Sequence, residues 1–418
     1  MSITQSQQIP VPEPELTGEE MVQRARDLVP ALRERQEEAE RIGRLPDQTS
    51  RDFIDAGFYR ILQPRRFGGY EFPLPIFTRV ALELSRGCPA SGWTYTLTAG
   101  HSHILATLWS EQAQIDVAGD DGDIRMPGRF RPGTAQEVEG GYRVSGTWDY
   151  VSGCDSATHL AFGFTFANDP GDGELATDII AIIDRSDVEI IDNWDVLGLR
   201  GTGSKRCVVE DVFVPAHRVI PSIFRPDAPR GAGRDIHDNP MYREGSIAGL
   251  IFSETASVAI GAARGVLDLY EESLRKRKTT VLPLVPMLEH PQYPRFYAEA
   301  LQQIDVAEGA LLHSDHEYME WCRLAAETDF EFSPELDRRL QLRKQYCAKL
   351  AYDAVGLMLR TCGSAGMRTG AMWQRYARDL TVLMTHNTVQ PELAADFYGR
   401  MHFGLFPQGA DRMVPQVR

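Results

Sequence analysis

Between Gly198 and Ser204 the chain reads Gly-Leu-Arg-Gly-Thr-Gly-Ser. This loop offers peptide N–H groups, two hydroxyls (Thr202, Ser204) and the Arg200 guanidinium within a few residues. It can hold an extended, planar, hydrogen-bonding ligand, and a tight turn between two strands would use the same residue types. A second polar set lies at Trp148 to Gly153, and a third at Thr385-His386-Asn387-Thr388. No carboxylate lies between Asp379 and Glu392. Gly201-Thr-Gly203 is no dinucleotide fingerprint, because the third Gly is missing and a strand follows. The six cysteines show no CxxC and no paired metal spacing, so no metal site is expected. They read as reduced, core-filling thiols of a cytosolic protein.

These residues need positioning elements. Thr17-Gly18-Glu19-Glu20 has capping-box form, and Met21, Ala25, Leu28 and Leu32 recur on one helical stripe. Further helices are predicted over Asp47–Gly57, Pro75–Arg86 and Gly92–Trp109. Near residue 122 the period changes to two, with Tyr142, Val144, Gly146, Trp148 and Tyr150 alternating with mostly polar residues. Strand-like runs follow at Leu160–Phe166, Asp178–Ile183, Val188–Ile191 and Cys207–Val214. Short strands without intervening helices predict antiparallel pairing in a barrel or sandwich. Beyond the Pro/Gly/Asp-rich stretch Asp227–Asn239, long helical segments cover Gly245–Arg277, Pro294–Ala326, Ser333–Cys362 and Gly370–Leu383, which suggests a four-helix bundle. The expected fold class is α+β, mainly α. Its parts are a disordered arm (1–16), an N-terminal helical domain (17–121), a central β domain (122–227) and a C-terminal helical bundle (228–418).

Bulk composition narrows the partners. With 44 Lys plus Arg against 59 Asp plus Glu the formal net charge is −15, which argues against nucleic acid, whose phosphates need a basic face. No apolar run is read as spanning a bilayer, and the polar, Pro-rich N-terminus shows no signal pattern. The basic run Arg275–Lys278 suits a helix C-terminus.

The order helices, β domain, helices resembles the acyl-CoA dehydrogenase fold over nearly the whole chain past residue 17. The markers are Pro64-Arg-Arg-Phe-Gly-Gly69, Trp148 to Gly153, Leu197 to Ser204, Asp211 to Pro215, and Arg378-Asp379. Dehydrogenases of that fold carry a C-terminal Glu a few residues past the Arg-Asp pair, which is missing here. His386, Cys88-Pro-Ala-Ser-Gly-Trp93 and Tyr150-Val-Ser-Gly153 instead resemble the flavin-dependent monooxygenases of the fold, the oxygenase components of two-component aromatic hydroxylases similar to p-hydroxyphenylacetate hydroxylase.

The resemblance implies reduced flavin (FMNH2 or FADH2) and O2 as co-substrates, a C4a-hydroperoxyflavin, and hydroxylation of a phenolic or other aromatic small molecule. It further implies a separate NAD(P)H:flavin reductase, a homotetramer and a cytoplasmic setting. Ser152 is then the hydroxyl near flavin N5, with Trp148, Tyr150, Arg200, Thr202, Gly203 and Ser204 along the cofactor. His386 is the base that shares the phenolic proton. Trp93 and His103 are candidates on the substrate side, although which of His101 and His103 faces inward is not legible. Arg378 and Asp379 are favoured as packing residues, and Gly363–Gly366 as a turn reaching a neighbouring subunit's flavin. Two other activities share these features: N- or S-oxygenation on the same fold, and acyl-CoA dehydrogenation, which the missing Glu disfavours.

Overall fold

The computed structural model describes residues 8–167, 176–225, 228–280 and 282–405. Its helices are α1 (Gly18–Ile42), α2 (Asp47–Asp55), α3 (Leu74–Gly87), α4 (Pro89–Leu108), α5 (Glu111–Ala118), α6 (Pro240–Glu244), α7 (Ile247–Lys276), α8 (Gln292–Glu327), α9 (Pro334–Thr361), α10 (Met372–Leu383) and α11 (Pro391–His402). Its strands are β1 (Gly128–Val138), β2 (Gly141–Val151), β3 (His159–Thr165), β4 (Ile179–Asp184), β5 (Glu189–Ile191), β6 (Lys205–Pro215) and β7 (Val219–Pro221). The chain is mostly helical with one mixed sheet.

Local signals explain several boundaries. Thr17 Oγ1 accepts from the Glu20 N–H while the Glu20 carboxylate accepts from the Thr17 N–H, and Gly43 closes α1 in the left-handed region. The two bonds satisfy donors that the first turn leaves open. α7 ends with Arg275 and Lys276 in its last turn, where cations face the negative end of the helix dipole.

Three expectations need correction. Among the described residues the strands form one seven-stranded sheet in the order β5-β6-β2-β1-β3-β4-β7, and β1 pairs with β3 in parallel. Antiparallel pairing throughout fails because β3 returns alongside β1 after the β2 hairpin arm, instead of hairpinning from β2. The arm is ordered from its eighth residue: Ile9 is buried, bridges Phe67, and donates its N–H to Arg66 O at 3.0 Å. Residues 1–7 of that arm lie outside the described residues. Finally, α7 is long and apolar enough to cross a membrane by composition, yet most of that apolar window is buried in the protein. It is a core helix packed on α3 and α9.

The helices share one hydrophobic core and the sheet another. Inside the helical core Lys344 and Asp315, both fully buried, pair at 2.8 Å. Thr78 and Ser253 donate to the Asp315 carboxylate at 2.6 and 2.7 Å, and Lys344 also donates to Gly249 O at 2.8 Å. Every charge in this cluster is matched, which a buried ion pair requires.

Candidate active site

The site lies where α4, the end of β2, the loop before β6 and the turn after α10 converge. On α4, Trp93, Leu97 and His101 recur every four residues, so they share one face. All three line a cavity of about 250 Å³. His103, two residues on, points elsewhere: it is buried, its Nε2 meets Met241 O at 3.2 Å, and it lines none of the cavities described here. His101, not His103, is therefore the histidine of this face. Its Nδ1 meets the Met126 carbonyl at 2.9 Å, and burial lowers its pKa to about 4. A carbonyl only accepts, so Nδ1 carries the proton and the neutral ring keeps an accepting Nε2.

At the end of β2 the backbone is strained. Tyr150 has φ 65°, an outlier for a bulky residue. Its ring is 65% exposed and meets Trp194 edge-on at 5.8 Å. Ser152 follows, buried, and with it begins a row of hydroxyls whose hydrogens can be assigned. Thr202 Oγ1 lies 2.8 Å from Leu199 O and must donate to it, because a carbonyl cannot. Ser204 therefore donates to Thr202 across 2.6 Å, and Ser152 donates to Ser204 across 2.7 Å. The Trp93 indole N–H, which can only donate, reaches Ser152 Oγ at 3.0 Å. With every hydroxyl hydrogen committed, Ser152 keeps a lone pair as its remaining valence.

The Gly198–Ser204 loop is held from α10. Asp379, buried, accepts the Leu199 N–H at 2.6 Å, and Arg378 donates to Leu197 O at 2.6 Å. Leu199 stands in the left-handed region at φ 54°, so this anchor fixes a conformation the residue would otherwise avoid. Gly198 has to be glycine, since a Cβ there would lie 2.1 Å from Arg378 O. Burial pushes the Asp379 carboxyl up to about 7 against the opposing effects of the Leu199 N–H and Arg378.

His386 lies in the turn after α10, half-buried, its ring 5.0 Å from that of Trp93 at a steep angle. Nδ1 meets Thr388 Oγ1 at 2.7 Å and receives the Thr388 backbone N–H at 3.3 Å. A backbone N–H can only donate, so Nδ1 bears the lone pair and the proton sits on Nε2. Burial, then the nearby Arg129 charge, lowers its pKa to about 4. The ring is neutral at pH 7.

Two cavities meet here. One, of about 540 Å³, runs between Tyr150, Trp194, Leu199, Ser204 and the α10 turn. The other is the smaller cavity of Leu97 and His101, whose walls include Phe130, Phe224, Ile251 and Phe252. Trp93, Arg129, Tyr150, Ser152, His386 and Asn387 border both. The larger one combines aromatic walls with the hydroxyl row, which fits a flat ring with hydrogen-bonding edges.

The other sequence candidates fall behind this wall. Trp148 is buried in the sheet core, stacked on Phe162 at 4.1 Å with its N–H on Arg131 O. Its ring packs in the sheet core against Phe162 and Phe164, whereas Tyr150, two residues on, is turned outward by its positive φ. Arg200 reaches Asp195 and Val196 O within its own loop. Thr202 and Gly203 (φ 57°) shape the turn that carries Ser204. Sequence reasoning passed over Glu254 on α7, which lines the smaller cavity. The available signal was a lone carboxylate inside the otherwise uncharged run Ser246–Ala263.

The model of the acyl-CoA dehydrogenase C-terminal domain family matches residues 254–391. Over 92% of its length the chain is 34% identical to the flavin-dependent monooxygenase, oxygenase subunit HsaA, of Rhodococcus jostii (strain RHA1), covering 98% of that relative. It is 30% identical, over 84% of its length and 86% of the relative's, to the oxygenase component of the FADH(2)-dependent resorcinol hydroxylase of Rhizobium sp. (strain MTP-10005). The crystal structure of 3-HSA hydroxylase from Rhodococcus sp. RHA1 superposes with a TM-score of 0.82 at 31% identity, covering 94% of this chain and 99% of that one.

Proposed function

The chain belongs to the oxygenase components of flavin-dependent monooxygenases built on the acyl-CoA dehydrogenase fold, and from that premise we propose how its residues divide the work. It is an oxidoreductase of a two-component system that uses reduced flavin and O2 to hydroxylate a phenolic or aromatic molecule, with a separate flavin reductase as partner.

The observation that carries the assignment of residues is the meeting of the two cavities at Trp93, Ser152 and His386. The larger cavity takes the flavin ring, along Tyr150, Trp194, Leu199 and Ser204. Reduced flavin, when bound, supplies the activation of O2. Ser152 offers its lone pair as an acceptor, the polarity that a reduced ring's N5–H requires. The Leu199 carbonyl fixes that polarity through Thr202 and Ser204, and Trp93 holds Ser152 from the other side. His386, with Nε2–H, donates a hydrogen bond to the substrate oxygen and so favours its binding as phenolate, the proton passing to solvent on binding, which makes the ring carbon ortho to it more nucleophilic. The apolar walls keep water from the reacting groups.

The smaller cavity takes the aromatic substrate. Its aliphatic and aromatic lining favours a phenol over a sugar, whose hydroxyls would be left unpaired. The proposal extends to assembly and setting. Tyr346, Leu393 and Val306 on the C-terminal helices are more than half exposed, which supports a helical bundle that docks on further copies as a homotetramer. All six cysteines are buried and unbridged, which supports a reducing, cytosolic setting. The domain limits 17–121, 122–227 and 228–418 stay part of this reading.

The test supplies purified protein with FMNH2 or FADH2, O2 and a panel of phenols, and measures hydroxylated product against H2O2. Product formed at a rate that depends on the phenol supports the assignment. Quantitative H2O2 with every phenol and either flavin overturns it.

A further inference from the structure

The smaller cavity contains a polar group that no step above uses. Along α7, Ile247, Ile251 and Glu254 share the face turned to this cavity. Glu254 is only 1% exposed, and its Oε1 has no hydrogen-bond partner among the described residues. It forms no ion pair among them either. The fit against α4 is tight: a Cβ on Gly100 would lie 2.2 Å from that oxygen. Glycine at position 100 is what lets the carboxyl lie beside His101 on the cavity wall.

Leaving a buried carboxyl without a partner is destabilising, and more so if it is ionised. Burial holds Glu254 well above the ordinary carboxylate range, so it stands as a neutral acid. Tyr95 on α4 is fully buried with an unpartnered hydroxyl, and burial raises its pKa well above the ordinary value. His101 is neutral as well. Arg129 and Arg338 border the same cavity. A cationic substrate would meet these guanidinium groups, and an anionic substituent at Glu254 would oppose a second acid in an apolar wall.

We propose that Glu254 determines which substrates this oxygenase accepts, by donating its carboxyl O–H to an uncharged acceptor oxygen on the substrate. The preferred substrate is then an aromatic molecule with a phenolic hydroxyl at His386 and, remote from it, a ketone, amide or hydroxyl oxygen at Glu254. Such a group restores the hydrogen bond that the free protein lacks. This inference rests on the assignment of the smaller cavity to the substrate.

The experiment uses the full chain with reduced flavin and size-matched phenols whose para substituent is isopropyl, acetyl, carboxamide, carboxylate or aminoethyl. KM and kcat are measured for wild type, Glu254→Gln and Glu254→Leu. The acetyl and carboxamide phenols should beat the isopropyl phenol in kcat/KM by about tenfold or more, mainly through KM. Gln, which still donates, should keep most of that preference, and Leu should abolish it. A preference for the carboxylate or aminoethyl phenol, or an acetyl preference unchanged in Glu254→Leu, overturns the proposal. So does a Leu variant that gains thermal stability while its substrate ranking stays as in wild type, because that marks a merely structural acid. If wild type hydroxylates no phenol at all, the broader functional assignment fails instead.

Discussion

Trp93 donates its indole N–H to Ser152 Oγ at 3.0 Å, at the near end of a hydroxyl row whose direction the Leu199 carbonyl sets through Thr202 and Ser204. A residue of the helical part thereby takes up one lone pair of a serine at the end of the sheet and leaves the other for a ligand. Trp93→Phe keeps the ring against His386 but removes the donor. Ser152 would keep its hydrogen on Ser204 but lose the donor that helps hold its oxygen in place, and it would serve less well as an acceptor. We expect retention of reduced flavin to weaken by up to about tenfold, with a higher share of H2O2. A stopped-flow titration with reduced flavin checks this. Unchanged affinity together with unchanged coupling would remove Trp93 from the row.

His386→Ala should leave flavin affinity within a few-fold and lower hydroxylation by a factor on the order of 10² to 10⁴. The lost flux should appear as H2O2. Thr388→Val, which removes the hydroxyl at Nδ1, should produce a smaller effect in the same direction. Product yield and rate equal to wild type in His386→Ala would exclude this imidazole from the reaction.

His101 and His103 separate substrate contact from packing. His101→Ala opens the cavity wall and should raise KM for a phenol while leaving the flavin titration unchanged. His103→Ala should lower thermal stability with KM unaffected. The reverse pattern would show that α4 presents its other face to the substrate.

Asp379 makes stability depend on pH. Its folded-state pKa is raised to about 7 from an ordinary 3.8, so the folded protein holds a proton that the unfolded chain has released. The contribution is fully present below about pH 4 and declines as pH rises, until it is lost above about 7. The slope in that window is at most about 1.4 kcal/mol per pH unit. Asp379→Asn keeps an oxygen for the Leu199 N–H and removes the titration. Urea unfolding of both proteins between pH 5 and 8.5 should show wild type losing ground to the variant. Parallel pH profiles would refute the assignment.

Lys344→Met should destabilise the protein by about 3–5 kcal/mol, because Asp315 is left charged and unpaired in the helical core. Urea denaturation measures it. A cost under about 1 kcal/mol would mean that Thr78 and Ser253 suffice for that carboxylate.

Much of the architecture could be read from pattern. The capping box at Thr17, the period change near residue 122 and the four long C-terminal segments each carry a local signal, and the helices start and end within a few residues of those limits. Pairing partners could not be read, because periodicity gives the face of a strand but not its neighbour, and so the parallel β1–β3 contact was hidden. The loop residues Tyr150, Ser152 and Ser204 and the turn residue His386 were legible as chemical types in a known order. Direction was harder. Trp148 and Tyr150 share a strand, yet the positive φ of Tyr150 turns it to the cavity while Trp148 stays in the core. Glu254 escaped notice because a single acid in an apolar helix resembles a surface position until its neighbours are known.

The anchor between Asp379 and Leu199 spans 180 positions of sequence. The strands and the Gly198–Ser204 loop are synthesised well before α10, so the nascent chain can complete its sheet while this wall of the pocket still lacks its support. Competence to receive reduced flavin therefore arrives late, when the last helices dock.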